Sequence, residues 1–316
     1  AAITVSEAQG SIVIATESLN FGVAPGVVLH DDFDSGTPGQ PLAGWDLSSS
    51  AGLLQRPSYS NEASVTGKLS GMSSFLGTNY NSSAEYKNLG GLDTIYLSYY
   101  FRADKLSGAS SRNVKLARIS GGHNNDTYNQ SIGITSFDSN GSGALMQASK
   151  DFAESKVQTM WIGDYIGNGW HRAEYYVKLS NPAGTATGTT IGRLNSIPFA
   201  NLTNVINEET GMKYHWLSMP YYVAHDAGGD YKIYYDNVVV SKNQARVELC
   251  DNDIYAECKQ PVIAKLENWT AKSITLKKES ITPKKPYYFI FDEKNIQLNP
   301  KGIYYCLECP SKPTPN

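Results

Sequence analysis

The chain has 316 residues, 41% of them hydrophobic and 18% charged, enough to bury a full core and a second small one. Its 27 Lys and Arg against 30 Asp and Glu leave a formal net charge of −3. That balance lacks the basic excess phosphate neutralisation needs, which argues against a nucleic-acid partner, and no apolar run approaches the roughly 20 residues of a membrane-spanning helix.

Helical periodicity is nearly absent. Candidate strands recur in chain order at Ile3 to Val5, Ser11 to Ala15, Val27 to His30, Ile95 to Arg102, Val114 to Ser120, Ser131 to Phe137, Ala144 to Ala148, Gln158 to Ile162, His171 to Leu179, Tyr214 to Val223 and Tyr231 to Ser241. Gly, Asn, Asp and Ser punctuate them, the signature of an all-β antiparallel sandwich or barrel. After Ser241 Lys becomes frequent, and further strand patterns follow at Val262 to Leu266, Ser273 to Lys278, Tyr287 to Asp292 and Ile303 to Cys306. The Pro-rich end, Pro310 to Asn316, is a tail.

All four cysteines, Cys250, Cys258, Cys306 and Cys309, lie in this last quarter. An even number in one small segment predicts two disulfides in an oxidising compartment. The rival is a zinc site, since Cys306-x-x-Cys309 has ligand spacing, although Cys250 and Cys258 are too far apart for the usual second knuckle. Sequence does not fix connectivity. Bridges joining the entry pair, Cys250 and Cys258, to the exit pair, Cys306 and Cys309, are expected, because closing the longer loop constrains the unfolded chain more. The Ala1-Ala2 start is what a processing protease leaves, and an extracellular or surface-displayed protein is expected.

Alternation in the strand from Ile95 sends Ile95, Leu97, Tyr99 and Phe101 to a core and Tyr96, Ser98, Tyr100 and Arg102 to the opposite face. The strand from His171 likewise separates Arg172, Glu174, Tyr176 and Lys178 from its other residues. Aromatic planes cover the apolar faces of a pyranose and guanidinium groups pair with carboxylates. Tyr96, Tyr100, Arg102, Arg172 and Tyr176, with Arg118, are therefore the candidate saccharide contacts. A polar face is also what any antiparallel sheet shows to water, but 21 Tyr and 5 Trp against 9 Phe favour binding, because a core needing only bulk would use more Phe. Near the start, Asp31, Asp32 and Asp34 precede a long stretch that ends with Asp236 on the last long strand. A structural Ca²⁺ held by Asp32 and Asp236 is one reading, and turn-capping Asp side chains are the other.

The stretch GWHRAEYYVKLSNPAG, from Gly169, resembles a strand of the concanavalin A-like jelly rolls, in the branch that contains polysaccharide lyases acting on alginate and glucuronan. YKIYYDNVVVS, from Tyr231, resembles that branch's closing strand, LHDDFDSGTPGQPLAGW, from Leu29, its opening, and NVKLARISGG, from Asn113, its lysine-bearing strand. GSIVIATESLNFG, from Gly10, is similar to the opening of immunoglobulin-like TIG modules, and the segment from Glu267 to Gly302 to a small β-sandwich found after such jelly rolls. The resemblance implies a TIG-like segment over 1–28, a jelly roll over 29–242 and a small Ig-like β-domain over 243–316.

The same resemblance places a catalytic lysine at Lys115, with His123 and Tyr128 close enough in sequence to share its cleft. Lyase chemistry on a uronate needs a group that neutralises the carboxylate, a base for the C5 proton and an acid for the leaving oxygen. This chain departs from the pattern: Ala117 and Arg118 stand where the branch has Pro-Gly, Ser142-Gly143-Ala144 lacks the branch's Arg, and no Tyr-x-Tyr occurs between Asn129 and Trp161. The leading expectation is an extracellular or surface protein that binds a polysaccharide, an acidic one, with no cofactor beyond the calcium. The alternatives are a lyase cleaving a polyuronate by β-elimination and a self-assembling subunit of a virion or cell-surface filament.

Overall fold

The computed structural model describes residues 3–47, 57–75, 85–105, 114–121, 131–134, 136–137, 144–149, 158–160, 169–208, 211–219, 222–223 and 231–306. The described residues are all-β, with only short 3₁₀ turns at Tyr255–Glu257 and Lys278–Ser280 beside the strands. No helix among them is long and apolar enough to cross a membrane. The chain divides into two compact units, one of 31–64 and 68–240, the other of 1–30, 65–67 and 241–316.

The larger unit is built from two antiparallel sheets. The continuous path of the first runs Ile197–Val205, Gly188–Leu194, His171–Lys178, Thr94–Lys105, Tyr231–Ser241, Ser70–Phe75 and Ser58–Ser60. The second is ten-stranded, and its centre runs Val114–Lys115, Ser136–Phe137, Ala144–Ser149, Ser131–Ile134, Arg118–Ser120, Tyr214–Met219 and Glu85–Leu92. Alternation sets the core: Ile95, Leu97, Tyr99 and Phe101 are all fully buried. The Tyr99 ring stacks on Tyr175 at 6.4 Å and meets Tyr235 at 6.3 Å, and the Tyr235 hydroxyl donates to the Leu116 carbonyl of the second sheet at 2.9 Å. That bond marks this face as the one between the sheets.

Several strands were not legible from sequence. The hairpin Gly188–Leu194 with Ile197–Val205 carries Gly192, Pro198 and three Asn, residues that read as turns. Gly192 lies opposite Tyr175, and the Phe199 ring fills the space where a Cβ would stand. The ring substitutes for a side chain that a close-packed strand cannot hold there.

In the smaller unit the N-terminal hairpin, Ile3–Ala8 with Ser11–Thr16, pairs with Ser273–Lys277 and Leu266–Trp269 in one sheet. Residues expected to form a separate segment thus complete the sheet of the C-terminal strands, and Ile12 and Ile14 lie opposite Leu276 and Ile274, all four fully buried. Ser11–Thr16 is paired on both sides, which leaves Ile3–Ala8 at the edge. The second sheet runs Val262–Ile263, Arg246–Cys250, Tyr287–Phe291 and Ile303–Tyr304.

The disulfide reading holds but the expected connectivity does not. Cys250 is bonded to Cys258, with Cα atoms 5.6 Å apart, rather than to an exit cysteine. The turn after Arg246–Cys250 folds back on itself, with the Asp251 carboxylate accepting the Lys259 N–H, and this local geometry outweighs the loop-entropy argument. Cys306 is also disulfide-bonded, and Cys309 lies outside the described residues.

Candidate functional site

Strands Thr94–Lys105 and His171–Lys178 run antiparallel with Tyr96 opposite Tyr176, Ser98 opposite Glu174 and Tyr100 opposite Arg172. Register partners share a face, so Tyr96, Tyr100, Arg102, Arg172 and Tyr176 line the side of the sheet turned away from the inter-sheet core. The expectation of one open trough along that side is corrected by burial. Tyr96 and Tyr100 are buried, and the Arg172 and Glu174 side chains are each only 3% exposed. The Tyr96 hydroxyl donates to Glu174 Oε1 at 2.6 Å, Arg172 donates through Nε to Ser98 Oγ at 2.9 Å and through Nη2 to the Tyr96 hydroxyl at 3.1 Å, and its Nη2 lies 3.4 Å from Glu174 Oε1. Charges withdrawn from water must be paired. The middle of the face is therefore a polar core.

The face opens at the Arg102 end. The Arg102 side chain is 36% exposed, chelates Asp104 through two bonds of 2.9 and 2.7 Å, and lies over the Tyr234 ring at 5.7 Å. Trp170 meets the same ring edge-on at 6.3 Å, and its indole N–H has no hydrogen-bond partner among the described residues. On the other side of Tyr234, Lys232 Nζ donates to both Glu62 oxygens at 2.8 and 2.7 Å, and the Tyr234 hydroxyl donates to Glu62 Oε2 at 2.6 Å. Lys232, followed by Tyr234, holds the Glu62 carboxyl below its ordinary range. Burial and then the Glu62 carboxylate push the Tyr234 phenol up, so it stays protonated and donates.

Sequence reasoning named Arg102 here but missed its neighbours. Trp170 continues the period-two rhythm of Arg172 one step before the strand begins, and Lys232 and Tyr234 alternate in the closing strand, so a signal was present. Glu62 carried none, because it reaches Lys232 across a separation of 170 residues.

Arg118 lies on the second sheet. It is buried opposite Ser218, itself fully buried, with Ser120 opposite Trp216 on the same strand pair. Lys115 is described through its backbone, which pairs with Ser136 on one side and Tyr222 on the other. His123 and Tyr128 lie outside the described residues.

Neither the family models nor the curated proteins give a match to this sequence. Among solved structures, a variant of alginate lyase Aly36B in complex with alginate trisaccharide has a TM-score of 0.50 at 12% identity, covering 70% of this chain and all of the other. The fold is a polysaccharide lyase-like β-sandwich. An endo-β-1,4-glucuronan lyase from the fungus Trichoderma reesei is similar at 14% identity and a TM-score of 0.47, over 65% of this chain and 96% of that one. The cellulose-induced protein Cip1 is similar at 12% identity and a TM-score of 0.41, over 68% and 97%.

Within this lyase-like sandwich four tyrosines are shifted towards their protonated form. Burial raises the phenols of Tyr176, Tyr214 and Tyr235, as it does Tyr234, the opposite of the shift that would free an oxyanion at neutral pH. The aspartates at the start act on backbone: Asp31 accepts from Phe33 N–H and Trp45 Nε1, and Asp34 from the Lys68 and Leu69 N–H groups. Asp32 accepts from Asp34 N–H at 3.3 Å, and Asp236 from Asn237 N–H at 2.6 Å. Among the described residues the one trio of metal-ligand type with donor atoms within 4.8 Å is Cys250, Asp251 and Cys258, which includes neither aspartate. Its two sulfurs are bonded to each other, which removes the zinc reading for them.

Proposed function

We propose that the protein recognises an acidic polysaccharide on the outward face of its lyase-like sandwich, at the end formed by Arg102, Trp170, Lys232 and Tyr234. The observation that carries this is the cluster at that end: Arg102, part-exposed, lies over the buried Tyr234 ring, Trp170 meets that ring edge-on, and Lys232 and the Tyr234 hydroxyl share the Glu62 carboxylate. The half-buried Trp170 indole offers apolar surface to a pyranose, and the part-exposed Arg102 and Lys232 answer the carboxylates of an acidic one. The disulfide supports an extracellular or surface setting, where such polymers occur. Calorimetric titration with acidic polysaccharides tests the proposal: Trp170→Ala and Arg102→Ala should each weaken binding by about tenfold, roughly 1.4 kcal/mol, with unchanged melting. Binding untouched by both would overturn it.

A second reading, β-elimination of a polyuronate, is favoured by the register that sets position 115 between positions 136 and 222, in a strand followed three residues on by buried Arg118. Ultraviolet absorbance of an unsaturated uronate product, released from alginate or glucuronan and abolished by Lys115→Ala, is its expected signature. Absence of product from both polymers would remove it.

A further inference from the structure

Two carboxylates on this face are held by a tyrosine hydroxyl and a cation, and they differ in what they could give up. Glu174 is sealed, at 3% exposure, between Tyr96 and Arg172. The Glu62 side chain is 48% exposed and sits in the turn that follows Ser58–Ser60, outside any strand. Its backbone is tied locally, with the Glu62 N–H donating to Ser60 Oγ at 3.2 Å, so the side chain can swing away without breaking a ladder bond.

We propose that Glu62 is a built-in occupant of a uronate-carboxylate subsite, seated on Lys232 and Tyr234 until a sugar carboxylate displaces it. The inference rests on the saccharide reading above and deepens it by naming the group recognised. Three donor contacts converge on Glu62: Lys232 Nζ to each oxygen and the Tyr234 hydroxyl to one. A carboxylate at C5 of a pyranose presents the same two oxygens, and Trp170, edge-on to the Tyr234 ring, is the aromatic side chain nearest the seat among those described in contact with Tyr234. Arg102 pairs with Asp104 rather than with Glu62, so the lysine and the phenol define this seat. A neutral hexose has a hydroxymethyl group at that carbon and nothing to offer the ammonium that Glu62 does not offer better. Glu62 thus filters for acidic sugars, and it lowers the affinity of a ligand whose carboxylate must take the seat by the fraction of time it holds that seat.

The experiment is titration of the full chain with an oligoglucuronate and with its methyl ester. Glu62→Ala should bind the acid form about fivefold or more tightly than the native chain and the ester no better, the gain expected from removing an internal competitor. Adding Lys232→Ala to Glu62→Ala should abolish the gain, and circular dichroism melts establish that each variant is folded. If the native chain binds the oligoglucuronate and a folded Glu62→Ala binds it equally or more weakly, the displacement inference falls and saccharide recognition stands. If neither folded protein binds it, both fall.

Discussion

The Tyr96 hydroxyl donates to the Glu174 carboxylate at 2.6 Å across two neighbouring strands, with both residues buried. Arg172, two positions from Glu174, closes the arrangement by donating to the same hydroxyl and lying 3.4 Å from the carboxylate. A buried pair of this kind contributes little net stability but becomes costly once one member is removed, because the other charge stays in the interior. Arg172→Met should therefore lower the unfolding free energy by about 3–5 kcal/mol in urea titrations. Tyr96→Phe, which deletes one hydroxyl and keeps the ion pair, should cost about 1–2 kcal/mol. Equal, small losses in both variants would mean that Glu174 does not depend on Arg172.

The Cys250–Cys258 bridge spans a sequence separation of 8, and Cys250 packs against Phe289 and Phe291. Closing so short a loop restricts the unfolded chain by about 2–3 kcal/mol. Replacing both cysteines by Ala should lower the stability of the smaller unit by that amount and leave the proposed saccharide binding by the sandwich unchanged. Non-reducing peptide mapping should recover the 250–258 linked peptide. Recovery of a peptide joining 250 to 306 or 309 would contradict the structure.

Period-two alternation was enough to assign sides: it separates Tyr99 and Phe101, which pack between the sheets, from Tyr96, Tyr100 and Arg102 on the opposite face. It says nothing of depth. Tyr100 and Arg102 alternate in phase on one strand, yet one is buried and the other half-open, and that difference depends on groups far away in sequence. Glu62 shows the limit most clearly, since its two partners lie at 232 and 234 and no local pattern marks it. The N-terminal hairpin was legible as strands, but its partner, Ser273–Lys277, lies across most of the chain. The Cys250–Cys258 pairing turned on a local turn, where an entropy argument about loop length carried no geometric information.

Gly192 offers a packing test. A Cβ there would stand 2.0 Å from the Phe199 ring, which itself meets Tyr175 edge-on at a centroid distance of 6.4 Å. Gly192→Ala should force that ring out of place and cost about 1–3 kcal/mol, as overpacking does. Phe199→Ala in the same chain relieves the clash, so the double variant should lose less than the two single losses added together. Strict additivity would show that the two positions do not meet.

The lowered Glu62 carboxyl links stability and site occupancy to pH. Lys232, then Tyr234, favour its charged form, and Arg102 adds a weaker attraction, while Asp104 faces Arg102 and Tyr234 rather than Glu62 itself. Because the folded-state value lies below the unfolded one, the stabilisation is present above the ordinary carboxylate range and is lost as pH falls through the folded value. Acid titration of the native chain should therefore show a fall in urea midpoint beginning below about pH 4.5, and Glu62→Gln should flatten part of that fall while leaving the midpoint near pH 7 lower than native. Superimposable acid limbs for the two proteins would show that the Lys232 and Tyr234 contacts do not favour the charged carboxylate in solution.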